Sequence, residues 1–169
     1  GVVEYRNVRI KELPGGDVIP EYVAIANRGF QSLYTGLNLD GWSGDRTEAW
    51  KVNGWVLAYK GSSGEIGELR SAQTFSDAEF VIDVRFPDSQ SSLAIAVGDS
   101  LVIDLSKENL AKHLEKPGRW NRIEIRSDDE ARRIVINGHE AEEINSVVNG
   151  ALFLKPNGPT AFANLYATE

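Results

Sequence analysis

The sequence predicts an all-β fold, a two-sheet antiparallel sandwich with one short helix near residues 107–116. Three observations lead there. Sixteen glycines are spread along the 169 residues and separate many short apolar runs. Helical periodicity is missing outside one ten-residue stretch. Residues 78–86 alternate at a period of two, with Ala78, Phe80, Ile82, Val84 and Phe86 on one face and Glu79, Val81, Asp83 and Arg85 on the other. Many short strands joined by tight turns fold into a sandwich or a barrel.

The elements follow in order. Residues 2–12 form a strand that Leu13-Pro14-Gly15-Gly16 ends, and residues 17–29 form a linker. Phe30–Tyr34 is the next strand, closed by Thr35-Gly36. In Trp50–Ala58, Asn53-Gly54 signals a hairpin, because a type I′ turn needs positive φ at both central residues. Gly67–Ser71 is a short strand after a Gly-Ser-Ser-Gly tip. The strand at 78–86 buries its apolar side and turns Asp83 and Arg85 outward to a groove. Residues 92–97 and 100–105 pair across Gly98-Asp99. The helix at 107–116 is capped by Ser106, carries Leu110, Ala111 and Leu114 as its apolar stripe, and stops at Pro117-Gly118. Trp120–Arg126 and Arg133–Ile136 flank Ser127-Asp128-Asp129-Glu130, and Asn137-Gly138 turns the chain again. Strands at 151–154 and 161–167 complete the set.

Composition removes several function classes. A chain of 169 residues fits one domain and buries roughly 70% of its unfolded surface, so it needs no disulfide or metal to fold. No cysteine is present, which excludes thiol catalysis and zinc–thiolate sites. The net charge of −7 comes without a basic stripe, so nucleic acid is not an expected partner. No apolar run approaches the ~18 residues of a membrane span. No signal peptide opens the chain and no methionine occurs in it, so Gly1 reads as a processed end or a cut within a longer protein. His113 and His139 share no ligand spacing and read as solvated. No calcium loop and no nucleophile-elbow serine occurs. No metal and no cofactor is expected.

The order of the pieces resembles the 3-keto-disaccharide hydrolase family. Gly29-Phe30-Gln31-Ser32-Leu33-Tyr34-Thr35-Gly36-Leu37-Asn38-Leu39-Asp40-Gly41-Trp42 is similar to that family's opening "GF-SLFNG-DL-GW". Trp50–Leu57 and the run from Gly67 to Phe86 follow in the same order. Gly118–Ile125 and Ile136-Asn137-Gly138 are similar to its "G-WN" strand and "NG" turn, and Phe162-Ala163-Asn164-Leu165 to its closing "F-NI". The match spans residues 29–169. It implies a concanavalin A-like lectin/glucanase jelly roll, a saccharide ligand, glycosidic-bond cleavage and an extracytoplasmic location. The sequence departs from the family at Val97, where an arginine is usual, and at Asp99–Asp104, which lacks the usual Glu or Gln. A non-catalytic carbohydrate-binding or interaction module within a larger protein is therefore the alternative.

An internal echo bears on domain organisation. Tyr5–Glu12 aligns with Phe162–Glu169 at a separation of 157 residues. Residues 1–13 are accordingly expected to be the last strand of a preceding copy or an extra edge strand, residues 14–28 a linker, and residues 29–169 the jelly roll. A tandem domain upstream is the expected partner besides the saccharide.

Glycosidic cleavage commonly needs two carboxyl groups about 5–9 Å apart. Glu79 and Asp83 stand i, i+4 on one strand, about 13 Å apart, which is too far. Asp83 needs a partner from a neighbouring strand, and Glu124 is the best candidate, so these two are the catalytic candidates. Arg85, beside Asp83, would hold the carboxylate ionised and bind a sugar oxygen. Glu79, Arg126 and Trp55 complete the substrate-binding candidates, with Trp55 as an exposed stacking face after the hairpin. Trp42, Trp50 and Trp120 read as framework. The competing interpretation of the charged set is an ordinary solvated sheet face.

Overall fold

The computed structural model describes residues 29–45, 47–62, 64–127, 132–145 and 148–169. The strand expected at 2–12, the linker after it and the proposed domain boundary at residue 13 lie outside the described residues. Two antiparallel sheets stack face to face. The strands are β1 (Gln31–Ser32), β2 (Trp42–Ser43), β3 (Trp50–Asn53), β4 (Val56–Tyr59), β5 (Leu69–Ser76), β6 (Glu79–Arg85), β7 (Ser92–Val97), β8 (Leu101–Asp104), β9 (Trp120–Ser127), β10 (Arg132–Ile136), β11 (His139–Ile144), β12 (Asn149–Asn157) and β13 (Thr160–Thr168), with a helical turn α1 (Glu108–Ala111) between β8 and β9.

The larger sheet runs β11-β10-β9-β6-β13-β4-β3, with β1 also pairing to β13. The smaller runs β2-β5-β12-β7-β8. Non-consecutive neighbours dominate both, as a jelly roll requires. The core lies between the inner faces. Phe80, Ile82 and Val84 of β6, Ile123 and Ile125 of β9, and Phe162 of β13 meet Leu152 and Leu154 of β12 and Leu93, Ile95 and Val97 of β7. Trp50 closes one side, its ring 5.2 Å from Tyr59 and 5.7 Å from Phe162. Because the side-chain period is two, burying Phe80, Ile82 and Val84 obliges Asp83 and Arg85 to leave by the outer face.

Two turns show how the register is set. Asn137 (φ 51°) and Gly138 (φ 80°) are both left-handed, the type I′ pattern, and close β10 on β11 with Ile136 opposite His139. The β3–β4 turn differs from expectation. Asn53 pairs with Val56, so the central residues are Gly54 and Trp55, not Asn53 and Gly54. Of these only Gly54 (φ 55°) is left-handed, which is the type II′ pattern. The core sets this register, since Trp50 opposite Tyr59 places both rings inside.

The helix is shorter than the sequence suggests. Only Glu108–Ala111 is α-helical, and Lys107, not Ser106, stands at its start without a side-chain cap. The Ser106 hydroxyl instead donates to Asp104 Oδ1 at 2.7 Å. Beyond Ala111 the bonds tighten to i→i+3, His113 N–H to Leu110 O and Leu114 N–H to Ala111 O. The chain then leaves the helix because Glu115 N–H donates to the Asn121 side chain at 2.6 Å. Strands β2 and β11 were not expected. β11 is an edge strand whose glutamates face water, so it carries little apolar alternation.

Candidate functional site

β6 lies in the middle of the larger sheet, between β9 and β13. The register sets Asp83 opposite Arg122 on β9 and Ala163 on β13. Arg122 grips the carboxylate with two nitrogens of one guanidinium edge, Nε to Oδ1 at 2.8 Å and Nη2 to Oδ2 at 2.9 Å. Such a bidentate fork is among the stronger side-chain pairs. A third donor comes from Asn164, whose Nδ2 reaches Oδ2 at 2.6 Å. Asn164 sits in a bulge of β13, between Ala163 and Tyr166, with φ at 48°. Bulges re-aim side chains in this way, and asparagine tolerates the left-handed region. Asp83 is only 8% exposed, so the ion pair lies under the surface of the face. The hydrogen bond to Asp83 raises the Arg122 pKa above its ordinary value, as do the charges of Asp83, Glu124 and Tyr166, while burial opposes them.

Glu124 follows on the same face of β9, opposite Val81 of β6. It is thus a diagonal neighbour of Asp83, a relationship that spans about 7–8 Å between Cα atoms. It is 7% exposed and forms an ion pair with Arg126, whose side chain is half-exposed. Arg85 does not reach Asp83; its guanidinium lies over the Trp120 ring, 4.6 Å from the centroid. The cation expected beside Asp83 is therefore Arg122. Glu79 sits at the other end of β6 and accepts the Ser127 N–H at 2.8 Å. Trp55 is 70% exposed at the β3–β4 tip, two strands from β6, and its ring approaches Gly36.

A groove of about 540 Å³ opens above the pair, lined by Asp83, Trp120, Arg122, Glu124, Arg126 and the Asn137-Gly138 turn, with Glu115 and Asn121 at one side. Toward β4 the floor is low, because Ala58, Ala161 and Ala163 occupy the outward positions level with Arg85 and Asp83. Of the sequence candidates, Asp83, Glu124 and Arg126 line the groove. Arg85 backs its Trp120 wall, whereas Glu79 and Trp55 do not line it. Arg122, Asn164 and Asn137 were not singled out as site residues. Arg122 has the same strand parity as Glu124, and that was the one signal available. Asn137 anchors the rim: its Oδ1 accepts the Arg122 N–H at 2.9 Å, and its Nδ2 donates to His113 O at 2.9 Å and to Asn121 Oδ1 at 3.0 Å.

Beside this rim the two histidines, distant in sequence, stack on each other with centroids 5.5 Å apart and planes 20° from parallel. The His113 pKa is lowered by desolvation first, then by Lys112 and His139.

Chemically, the groove offers a fixed row of charge-assisted donors and acceptors above a floor of small side chains, with one indole wall. Both carboxylates are already engaged. Asp83 accepts three hydrogen bonds and Glu124 faces Arg126.

No family model matches the chain, and no curated protein matches it. Solved structures do. A protein of Parabacteroides distasonis, provisionally assigned as a glycosyl hydrolase, superposes with a TM-score of 0.66 at 13% identity, over 85% of this chain and 94% of that one. The carbohydrate binding module CBM66 of Bacillus subtilis gives 0.55 at 14% identity, over 78% and 98%. The β-glucanase of Bacillus licheniformis gives 0.55 at 8% identity, over 83% and 97%. The chain therefore has the jelly-roll fold shared by these proteins.

Proposed function

We propose that this domain binds a saccharide on the outer face of its larger sheet, with Asp83, Arg122 and Asn164 as the polar centre and Trp120 as the stacking wall. The observation that carries it is the forked Asp83–Arg122 pair, held by a third donor at the floor of a groove of sugar-sized dimensions. Sugars present alternating hydroxyls and an apolar C–H face. Preset planar donors and acceptors beside an indole suit both. Glu124 and Arg126 extend the polar row, and Arg85 orders Trp120 from behind. Glu79 and Trp55 lie outside the groove proper; Trp55, at the edge of the sheet, would meet only a longer ligand. The neighbours named above support a carbohydrate ligand.

Binding without turnover is the first reading, because Asp83 is tied to Arg122 and Asn164 and Glu124 is paired with Arg126. The second is glycosidic hydrolysis by Asp83 and Glu124, which their diagonal placement on one face of β6 and β9 favours, since such cleavage commonly uses two carboxyl groups flanking the bond. Its substrate would be a 3-keto-disaccharide, by the resemblance of residues 29–169. By the same resemblance the domain works outside the cytoplasm, beside a tandem copy ending at residues 1–13. No helix among the described residues is long and apolar enough to cross a membrane.

The test is a glycan array and calorimetric titration of the wild type and of Asp83→Leu/Arg122→Met, a pair that keeps the volume and removes the polarity. Saccharide binding by the wild type and none by the folded double variant is expected. Equal binding by both would end the proposal. Product release from a panel of 3-keto-disaccharides, abolished by Glu124→Gln, would replace the first reading with the second.

A further inference from the structure

We infer that the saccharide site continues from the sheet face into a second cavity at the end of the sandwich, so that the ligand is an oligosaccharide longer than two units; this rests on the binding reading above and deepens it. The second cavity has a volume of about 470 Å³. It lies between the β6–β7 loop and the segment that follows α1. Its floor is apolar, made by Phe86, Leu105 and Leu114, and its rim carries Ser89, Gln90 and Lys116. An apolar floor with a few polar groups above it is the pattern of a small-molecule site, and about 300–1,000 Å³ is the usual size. A pyranose fits that chemistry, with its C–H face down and its hydroxyls toward the rim.

The two cavities adjoin. Glu115 and Asn121 line both. Asn121 is only 1% exposed and is already bonded to Glu115 N–H and to Asn137, so the passage runs over Glu115, an exposed residue. The rim of the second cavity is also held in shape. Asp88 Oδ1 accepts from Gln90 N–H at 2.9 Å, Ser91 N–H at 2.9 Å and the Ser91 hydroxyl at 3.0 Å. A loop fixed in this way costs little to order around a ligand. The two cavities, of about 540 and 470 Å³, each fall within the usual size of a small-molecule site.

The experiment is amide NMR titration with cello-, laminari-, xylo- and manno-oligosaccharides of two and of six units. The wild type is compared with Ser89→Trp, which puts bulk into the end cavity from an exposed loop, and with the milder Lys116→Ala. A six-unit sugar is expected to shift the amides of Ser89–Ser92 together with those of Trp120 and Arg122. The ratio of six-unit to two-unit affinity is expected to fall at least tenfold in Ser89→Trp and severalfold in Lys116→Ala. Shifts at Trp120 and Arg122 without any at Ser89–Ser92 would overturn the second subsite and leave the sheet-face site standing. An unchanged affinity ratio in both variants would do the same. Silence from every sugar at both places would overturn both.

Discussion

At the scale of single residues, the centre of the site is a buried ion pair, and buried pairs are costly to break by halves. Removing Arg122 alone leaves the Asp83 carboxylate under the surface with only Asn164 beside it. Arg122→Ala is expected to lose about 3 kcal/mol of unfolding free energy, by urea denaturation. Asp83→Leu/Arg122→Met removes both charges and is expected to recover most of that loss, because well-packed apolar replacements of such pairs are often neutral. If the double variant were as unstable as the single one, the pair would contribute more to folding than to recognition. Asp83 was legible in the sequence because the period-2 pattern of 78–86 leaves it only the outer face. Its partner was not. A residue two positions along the same strand lies about 6.5–7 Å away, whereas one directly across lies about 4.5–5.5 Å away, so Arg122 outcompetes Arg85. Seeing this requires knowing that β6 pairs with β9, thirty-nine residues later in the chain. Asn164 was hidden for a similar reason, since its aim comes from a bulge.

At the scale of elements, the rim of the groove depends on the β10–β11 turn and on how α1 leans against β11. Asn137 serves both, with a left-handed backbone and three side-chain hydrogen bonds. Asn137→Ala is expected to destabilise the fold by about 2 kcal/mol, measured by urea denaturation, through strain at positive φ and loss of buried partners. Asn137→Gly should recover the strain part alone. The turn itself was legible as Asn-Gly. The network was not, because Asn121 and His113 come from other segments. The same holds for the stacked histidines, which meet only once β11 has returned beside α1. The folded His113 pKa is lowered below the ordinary histidine value of about 6.5 by desolvation, Lys112 and His139. The unfolded state then takes up the proton first as pH falls, so stability is full above about 6.5 and is lost as pH drops toward the folded pKa. On β11 beside His139, Glu140 is paired with Arg133 and Glu142 accepts from Asn109 Nδ2 at 3.0 Å. Proton NMR titration should find the His113 midpoint below 6.5, moving up in His139→Gln. A midpoint at or above 6.5 in the wild type would contradict the stack.

At the scale of the whole molecule, sequence and structure agree on the architecture for a simple reason. Sandwich strands that bury one face must alternate, and glycine-marked turns divide them, so the fold class is written locally many times over. Which strands become neighbours is not, since β6 lies between β9 and β13 through crossings that no local pattern encodes. The groove is a product of those crossings, with lining from β6, β9, the β10–β11 turn and the segment after α1. A saccharide held there bridges parts of the chain far apart in sequence, and it binds the folded state alone. At a free concentration one hundred times its dissociation constant, such a ligand adds about 2.7 kcal/mol to stability. For a domain of this size that corresponds to a rise in Tm of about 5–11 °C. Scanning calorimetry with and without the best glycan-array hit measures it. The Asp83→Leu/Arg122→Met variant should keep its own Tm and show no rise on adding the same sugar. A rise of equal size in that variant would place the saccharide elsewhere on the sandwich.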